Sequence, residues 1–155
     1  KGGQTIGTGA GQQNRLACTD LAARKAEAWY LRQHPKVLEM KFAPKLRRPQ
    51  KINAIEQYLN AGMAPEERTA WEGNYAELPS PITEEEKAEW LGKLNDVALS
   101  SDAYIPFRDN IDRAAKTGVN YIVQTGGSIS DEDVVLAADA YGMVMASSGL
   151  RLFHH

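Results

Sequence analysis

The last third of the chain alternates short apolar runs with amphipathic stretches. The apolar runs predict strands at residues 96–100, 119–124 and 143–147. Helices are predicted between them at residues 109–117 and 130–141, and each is followed by a glycine, Gly118 or Gly142. Short helices between apolar strands favour parallel pairing with right-handed crossovers. The sequence therefore predicts an α/β fold with a largely parallel sheet and helices on the sheet faces.

Before this region, the apolar positions follow a helical period between polar connectors. The predicted helices cover residues 14–33, 50–60, 66–73 and 83–95. Thr83 and Glu86 fit a capping box at the start of the last of these helices. Residues 37–42 fit either a strand or an extended helix, and His34 is interpreted as an exposed helix end. The basic connector at residues 41–51 is either a solvated loop or a surface for a polyanionic ligand.

Residues 4–11 predict a short strand that runs into a glycine turn. Gly7, Gly9 and Gly11 superficially resemble a dinucleotide-binding loop. The spacing is G-x-G-x-G and is followed by Gln12, so the G-x-G-x-x-G fingerprint fails. A generic tight turn and a phosphate or cofactor cradle both remain open, and a nucleotide-binding oxidoreductase is a weak alternative.

Composition narrows the class of protein. The chain has 155 residues, of which 43% are hydrophobic and 25% are charged, and these values are typical of one compact globular domain. A formal net charge of -2 argues against nucleic-acid binding by a generally basic surface. Because Cys18 is the single cysteine, an internal disulfide and a multi-cysteine zinc site are excluded, and a reducing cytosol is expected. No apolar run approaches the roughly 20 residues that span a bilayer.

No complete set of catalytic residues can be read from the sequence. The chain starts at Lys1, without a methionine and in what reads as a strand-to-turn sequence, so we expect a fragment of a longer protein. No Ser-His-Asp or Cys-His arrangement is readable, and three histidines leave no obvious general base.

The clearest candidate site is the stretch Ser100 to Asp112, which reads S-S-D-A-Y-I-P-F-R-D-N-I-D. Pro106 cannot donate to a strand ladder and disfavours helix at Ile105, so a strand must end before it and a helix begin just after it. A polar, aromatic loop at the carboxyl end of a parallel strand is where open α/β sheets usually bind ligands.

Two further loops are expected at the same edge of the sheet, at residues 125–130 and 148–150. Gly126 and Gly127 allow a ligand to approach the backbone, and the following helix N-terminus offers amides to an anion. A turn with a helix cap is the alternative. Arg151 fits either a clamp for a phosphate or carboxylate or a surface ion pair.

Four long strings resemble one family. They are I-G-T-G-A-G-Q-Q-N-R-L, W-Y-L-R-Q-H-P-K-V-L-E-M-K-F, S-S-D-A-Y-I-P-F-R-D-N-I-D-R-A and L-R-L-F-H-H. They closely resemble the C-terminal end of the bifunctional purine biosynthesis family, in which AICAR transformylase is the larger domain and IMP cyclohydrolase the smaller. The similarity runs through essentially all 155 residues in order, and the eukaryotic form is the most similar.

The resemblance implies a cytidine-deaminase-like, three-layer α/β/α subdomain over residues 1–155, the second of two in the transformylase. The implied reaction moves a formyl group from 10-formyltetrahydrofolate to the 5-amino group of AICAR ribotide in de novo purine (IMP) biosynthesis. The parent enzyme is expected to be a cytosolic homodimer, with no nucleic-acid or membrane partner. The family's catalytic lysine-histidine pair and asparagine match nothing here, so this piece alone is predicted to be inactive.

The resemblance also implies roles for individual residues. The folate-contacting set is Arg15, Leu16, Asn53, Pro106, Phe107, Asp109 and Ser128. Asp109 would accept a hydrogen bond from the pterin, Tyr104 would lie against the AICAR base, and Arg151 would bind its phosphate. The family usually has Phe at Tyr104, and the added hydroxyl would need a hydrogen-bond partner if it were buried. A potassium ion, partly held through Asp102 and groups near Leu152 and His154, is a further implication. The alternative is a non-catalytic binding or dimerisation module of the same fold.

Overall fold

The computed structural model describes residues 1–60 and 62–154. The chain divides into two compact units. We call Lys1–Glu27 with the chain from Leu91 onward the sheet unit, and Ala28–Trp90 the helical unit.

The described residues contain seven helices and five strands. The helices are α1 (Arg15–Leu31), α2 (Pro35–Leu38), α3 (Arg48–Leu59), α4 (Pro65–Glu72), α5 (Glu84–Leu91), α6 (Asp109–Ala115) and α7 (Asp131–Ala140). The strands are β1 (Lys41–Phe42), β2 (Tyr75–Glu77), β3 (Val97–Ser100), β4 (Val119–Gln124) and β5 (Val144–Ser147). The helices predicted from periodicity are confirmed, with ends that shift by a few residues. The ambiguous stretch at residues 37–42 holds both the end of α2 and β1.

The sheet unit is built on β3, β4 and β5, which pair in that order and are all parallel. This arrangement confirms the predicted α/β class with a parallel sheet. Helices α6 and α7 connect the strands and contact the sheet, and Ile111, Ile122 and Val134 form a core that solvent hardly reaches. Tyr121 and Val123 point to the other face of the sheet and remain exposed.

The part of α1 that belongs to the sheet unit is joined to α6 by Arg113. Its guanidinium donates to Asp20 at 2.8 Å and to Glu27 at 2.9 Å. The hydrogen bond from Arg113 holds the pKa of Asp20 below its usual range. The hydrogen bonds offset the cost of removing these partly buried charges from water.

The strand predicted at residues 4–11 is not formed. Periodicity identifies which residues alternate, but a strand also needs a neighbour to accept and donate its backbone hydrogen bonds. Within the described part of the chain, the N–H groups of residues 5–10 donate to no other group. We call residues 4–10 the glycine segment.

The helical unit has an aromatic core. Trp71 and Tyr75 are buried, and both donate to the carbonyl oxygen of Ala54, at 2.8 Å and 3.1 Å. Burial raises the pKa of Tyr75 to about 12. The capping box of Thr83 and Glu86 is confirmed by hydrogen bonds in both directions.

The interpretation of His34 as an exposed helix end is wrong. The side chain is 8% exposed, and its Nδ1 accepts a hydrogen bond from the backbone of Lys36 at the start of α2. Its ring meets Trp90 edge-on at 5.0 Å between ring centres. Buried histidines are satisfied in this way by one hydrogen bond and aromatic packing.

Candidate functional site

The loop that follows β3 is held by one buried amide. The backbone N–H of Ile105 donates to Oε1 of Gln124 at 2.8 Å, and both residues are at most 2% exposed. Ile105 is anchored inward, whereas the rings of Tyr104 and Phe107 are 43% and 62% exposed. The predicted order is confirmed, because the strand ends before Pro106 and α6 begins after it. The loop thus presents two aromatic rings on a fixed backbone.

A second buried amide positions the carboxylate of Asp109. The Nδ2 of Asn110 donates to Oδ1 of Asp109 at 2.8 Å, and the hydroxyl of Thr19 donates to Oδ1 of Asn110 at 2.9 Å. Asn110 is 1% exposed, so solvent does not compete for these bonds. The same Nδ2 lies 3.3 Å from the carbonyl oxygen of Phe107. Asn110 therefore ties the end of the loop, the Asp109 carboxylate and α1 together.

Polar and charged side chains at the surface form a hydrogen-bond network at the end of the loop that leads into α6. The guanidinium of Arg108 donates to Asp112 at 3.2 Å and 3.0 Å, and the hydroxyl of Tyr141 donates to Asp112 at 2.9 Å. These bonds, that of Arg108 first, hold the pKa of Asp112 below its usual range. The carboxylate in turn raises the pKa of Tyr141. The guanidinium of Arg108 is therefore engaged by the Asp112 carboxylate.

A cavity of about 1130 Å³ lies within the sheet unit. Among its lining residues are five to which the resemblance gives a role: Arg15, Asp102, Tyr104, Pro106 and Arg151. Its charged lining consists of three cations, Lys1, Arg15 and Arg151, and two carboxylates, Asp96 and Asp102. The excess positive charge suits an anionic ligand.

Asp102, which lines this cavity, bonds to Arg15 and to the backbone of residues 152–153. Its carboxylate pairs with the guanidinium of Arg15, and its carbonyl oxygen accepts from the backbone of Leu152 at 2.8 Å and of Phe153 at 3.0 Å. The guanidinium carbons of Arg15 and Arg151 lie 5.6 Å and 5.9 Å from the centre of the Phe153 ring. Such distances are typical of cation–π contacts.

As they are placed, these groups do not fit the potassium site that the resemblance implied. The carboxylate of Asp102 faces a guanidinium, and its carbonyl oxygen already accepts two amide protons. His154 is exposed. Residues 1–60 and 62–154 contain no group of three or more His, Cys, Asp or Glu side chains that could hold a metal ion.

The other predicted folate contacts lie in different places. Phe107 lines a separate hollow of about 350 Å³, together with Ser130 and Leu136. Leu16 is 37% exposed in the first turn of α1. Asn53 belongs to the helical unit, where its Nδ2 donates to Gln57 at 3.3 Å in the middle of α3.

The loop at residues 125–130 favours the turn over the anion cradle. Gly126 and Gly127 have φ of +79° and +92°, which only glycine adopts easily. The N–H of Gly127 donates to Oδ2 of Asp131 at 2.6 Å, so a carboxylate of the chain itself already occupies this position. Ser128 serves the same turn, since its Oγ accepts from the backbone of Ser130 at 3.2 Å. Three acidic residues in the first turn of α7 would also repel an anion.

Sequence reasoning missed the residues that position the site. Gln124 is a polar residue at the end of an apolar strand, and that departure from the pattern was the available signal. Asn110 lies among charged residues at the start of α6, where nothing in the pattern marked it. No pattern in the sequence marked Phe153 as a site residue, apart from its place in the L-R-L-F-H-H string. Comparison with models of known protein families gives no match for this chain. No helix in the described ranges is long and apolar enough to cross a membrane.

Proposed function

We propose that the chain is the substrate-binding C-terminal part of an AICAR transformylase. This enzyme transfers a formyl group from 10-formyltetrahydrofolate to AICAR ribotide. We further propose that the full-length parent enzyme is a cytosolic homodimer. The observation that carries it is that Tyr104 and Arg151 line the same cavity, together with Arg15 and Pro106. These residues are distant in sequence, and the resemblance assigns them to the two substrates of one reaction.

The binding roles follow from the chemistry of the side chains. Tyr104 offers a half-exposed ring on a fixed loop, which is suited to stacking against the flat imidazole of AICAR. A guanidinium matches the geometry of a phosphate, so Arg151 suits the ribotide phosphate. Asp109, with one carboxylate oxygen held by Asn110, supplies an acceptor for the donors of a pterin ring.

The phosphate role of Arg151 can be measured directly. Calorimetric titration with AICAR ribotide should give an affinity that Arg151→Ala lowers by about tenfold or more, the effect of one lost charge-assisted contact. Binding of a folate analogue should hardly change. Arg68→Ala is the matched control, because Arg68 is an exposed arginine paired with Glu72 in the helical unit. Equal losses for the two ligands would contradict the assignment.

Formyl transfer separates this function from a non-catalytic module. We expect the chain alone to bind AICAR ribotide without turning it over, because the residues to which the resemblance assigns proton transfer have no match in it. Turnover by the 155-residue chain would refute this division of roles. Failure to bind either substrate would favour a module that keeps the fold without the chemistry.

A further inference from the structure

Hydrogen bonds fix the backbone on both sides of Arg151. Before it, the carbonyl oxygen of Leu150 accepts from the hydroxyl of Thr125 at 3.2 Å. After it, the N–H groups of residues 152–153 donate to the carbonyl oxygen of Asp102 at 2.8 Å and 3.0 Å. Arg151 is therefore carried between two anchored points, although it lies in no helix or strand. These bonds place its Cα atom but do not fix the direction of its long side chain.

The direction of an arginine side chain matters for binding an anion. The side chain has many rotamers, and a phosphate that binds to the guanidinium removes this freedom at a cost in free energy. A neighbouring group that already restricts the guanidinium lowers this cost, which is the general advantage of preorganisation.

The ring of Phe153 supplies such a neighbour. The guanidinium carbon of Arg151 lies 5.9 Å from the centre of this ring, and that of Arg15 lies 5.6 Å from it. Both distances fall within the roughly 6 Å over which the face of an aromatic ring attracts a cation. Arg15 also pairs with the carboxylate of Asp102, which offsets the repulsion between two cations on one ring. The ring and both arginines line the same cavity.

We propose that Phe153 is a positioning residue whose ring holds the guanidinium of Arg151 ready for the phosphate of AICAR ribotide. The inference rests on the proposed function, because it takes this phosphate as the ligand of Arg151. A guanidinium is planar, and its N–H groups lie in its plane, so one face can contact a ring while the N–H groups bond to an oxyanion. The ring therefore restricts Arg151 without consuming its hydrogen-bond donors.

Variants at position 153 test this role. Phe153→Leu keeps an apolar side chain but removes the negative face of the ring. Calorimetric titration should show that it binds AICAR ribotide about three- to fivefold more weakly, the effect of one lost cation–π contact at a partly exposed site. Phe153→Tyr keeps the face and should bind as the unmodified chain does. The riboside, which lacks the phosphate, should bind Phe153→Leu and the unmodified chain equally.

A double variant tests whether Phe153 acts through Arg151. When Arg151→Ala is already present, Phe153→Leu should weaken ribotide binding no further, because the side chain that it positions is gone. Two losses that multiply would show that Phe153 acts by another route. Phe42→Leu is the matched control, since it removes a contact of similar length, 5.4 Å from the ring centre to the ammonium of Lys51, from the helical unit. It should leave the affinity for the ribotide unchanged.

The contact can also be observed without a ligand. Protons above the face of an aromatic ring resonate upfield, so the side-chain protons of Arg151 should be shifted upfield in the unmodified chain and in Phe153→Tyr. In Phe153→Leu they should return to ordinary positions. Ordinary positions in the unmodified chain would overturn the proposal.

The outcomes separate this inference from the proposed function. If the unmodified chain binds AICAR ribotide and Phe153→Leu binds it equally well, the positioning role is wrong and the proposed function stands. If the unmodified chain does not bind the ribotide, both are wrong, even where the upfield shift is present. If Phe153→Leu also speeds amide exchange at Leu152, the chain end has loosened, and Phe153→pentafluorophenylalanine decides. This residue keeps the ring but reverses the charge of its face, so an unchanged affinity for the ribotide would overturn the proposal.

Discussion

Two irregular stretches of the sheet unit line the same cavity, but they are held in different ways. In the loop after β3, the backbone of Ile105 is bonded to a buried side chain, Gln124. In the glycine segment, close contact of Gly7 and Gly9 with α1 fixes the position, while the N–H groups of residues 5–10 donate to no group in the described part of the chain. The first arrangement prepares side chains for a ligand. The second holds the backbone by packing and by side-chain donors, since the carbonyl oxygen of Thr8 accepts from Lys25 at 2.8 Å.

The largest expected effect comes from removing the buried amide of the loop. Gln124→Met keeps the length of the side chain but leaves the N–H of Ile105 buried without an acceptor, which costs about 1–3 kcal/mol. Urea denaturation should show a matching decrease in the free energy of unfolding. Hydrogen exchange at Ile105 should become faster.

The chain offers an exposed counterpart as a control. The N–H of Asp96 donates to Oδ1 of Asn120 at the same distance, 2.8 Å, but at the surface. In Asn120→Ala water replaces the lost acceptor, so the loss of stability should be clearly smaller. A loss in Asn120→Ala as large as in Gln124→Met would show that burial of the amide does not hold the loop.

A somewhat smaller effect on the free energy of unfolding is expected from adding a methyl group where the glycine segment contacts α1. In Gly9→Ala the new methyl group would overlap the backbone of Cys18, so the segment must move away. We expect this to lower the free energy of unfolding by about 1–2 kcal/mol. The free energy of unfolding measures this cost. Gly73→Ala is the control, because its φ is -62° and its nearest neighbour would lie at an ordinary 3.4 Å. Equal stability of the two variants would mean that the glycine segment is not packed on α1.

The smallest effect concerns the surface network at the end of the loop. The depressed pKa of Asp112 means that its contribution to stability is present above the carboxyl's pKa in the unfolded chain and is lost as the pH falls through its lower folded pKa. Arg108→Gln should raise the pKa of Asp112 more than Tyr141→Phe does, because Arg108 is the larger cause. Carboxyl titration by NMR measures both shifts. Since exposed charges are screened, neither variant should noticeably alter the position of Ile105.

The difference between the loop after β3 and the glycine segment also shows which parts of the fold could be predicted from the sequence. The parallel unit from β3 to β5 was predictable because each element is long enough to show its period, and Pro106 marked where the loop had to lie. The strand expected at residues 4–11 was not formed, because a period of two does not reveal whether a neighbouring edge is present. β2 has three residues, too few to show any period.

The candidate site was predictable only in part. Local patterns located the Tyr104 loop and placed Arg151 after another loop at the same edge of the sheet, but only the family resemblance linked Arg15 to them. The buried bond between Ile105 and Gln124 joins residues 19 positions apart, and no local pattern identifies such a pair. Gln124 could have been recognised only as a polar residue at the end of an apolar strand.

We propose that the loop after β3, together with Arg151, binds AICAR ribotide. The direct measurement is titration of the isotope-labelled chain with AICAR ribotide and with the riboside that lacks the phosphate, followed by NMR. We expect the ribotide to shift the resonances of Tyr104, Ile105 and Arg151, and the riboside to leave those of Arg151 unchanged. Shifts centred on Gly126 and Gly127, or identical shifts at Arg151 with both ligands, would contradict it.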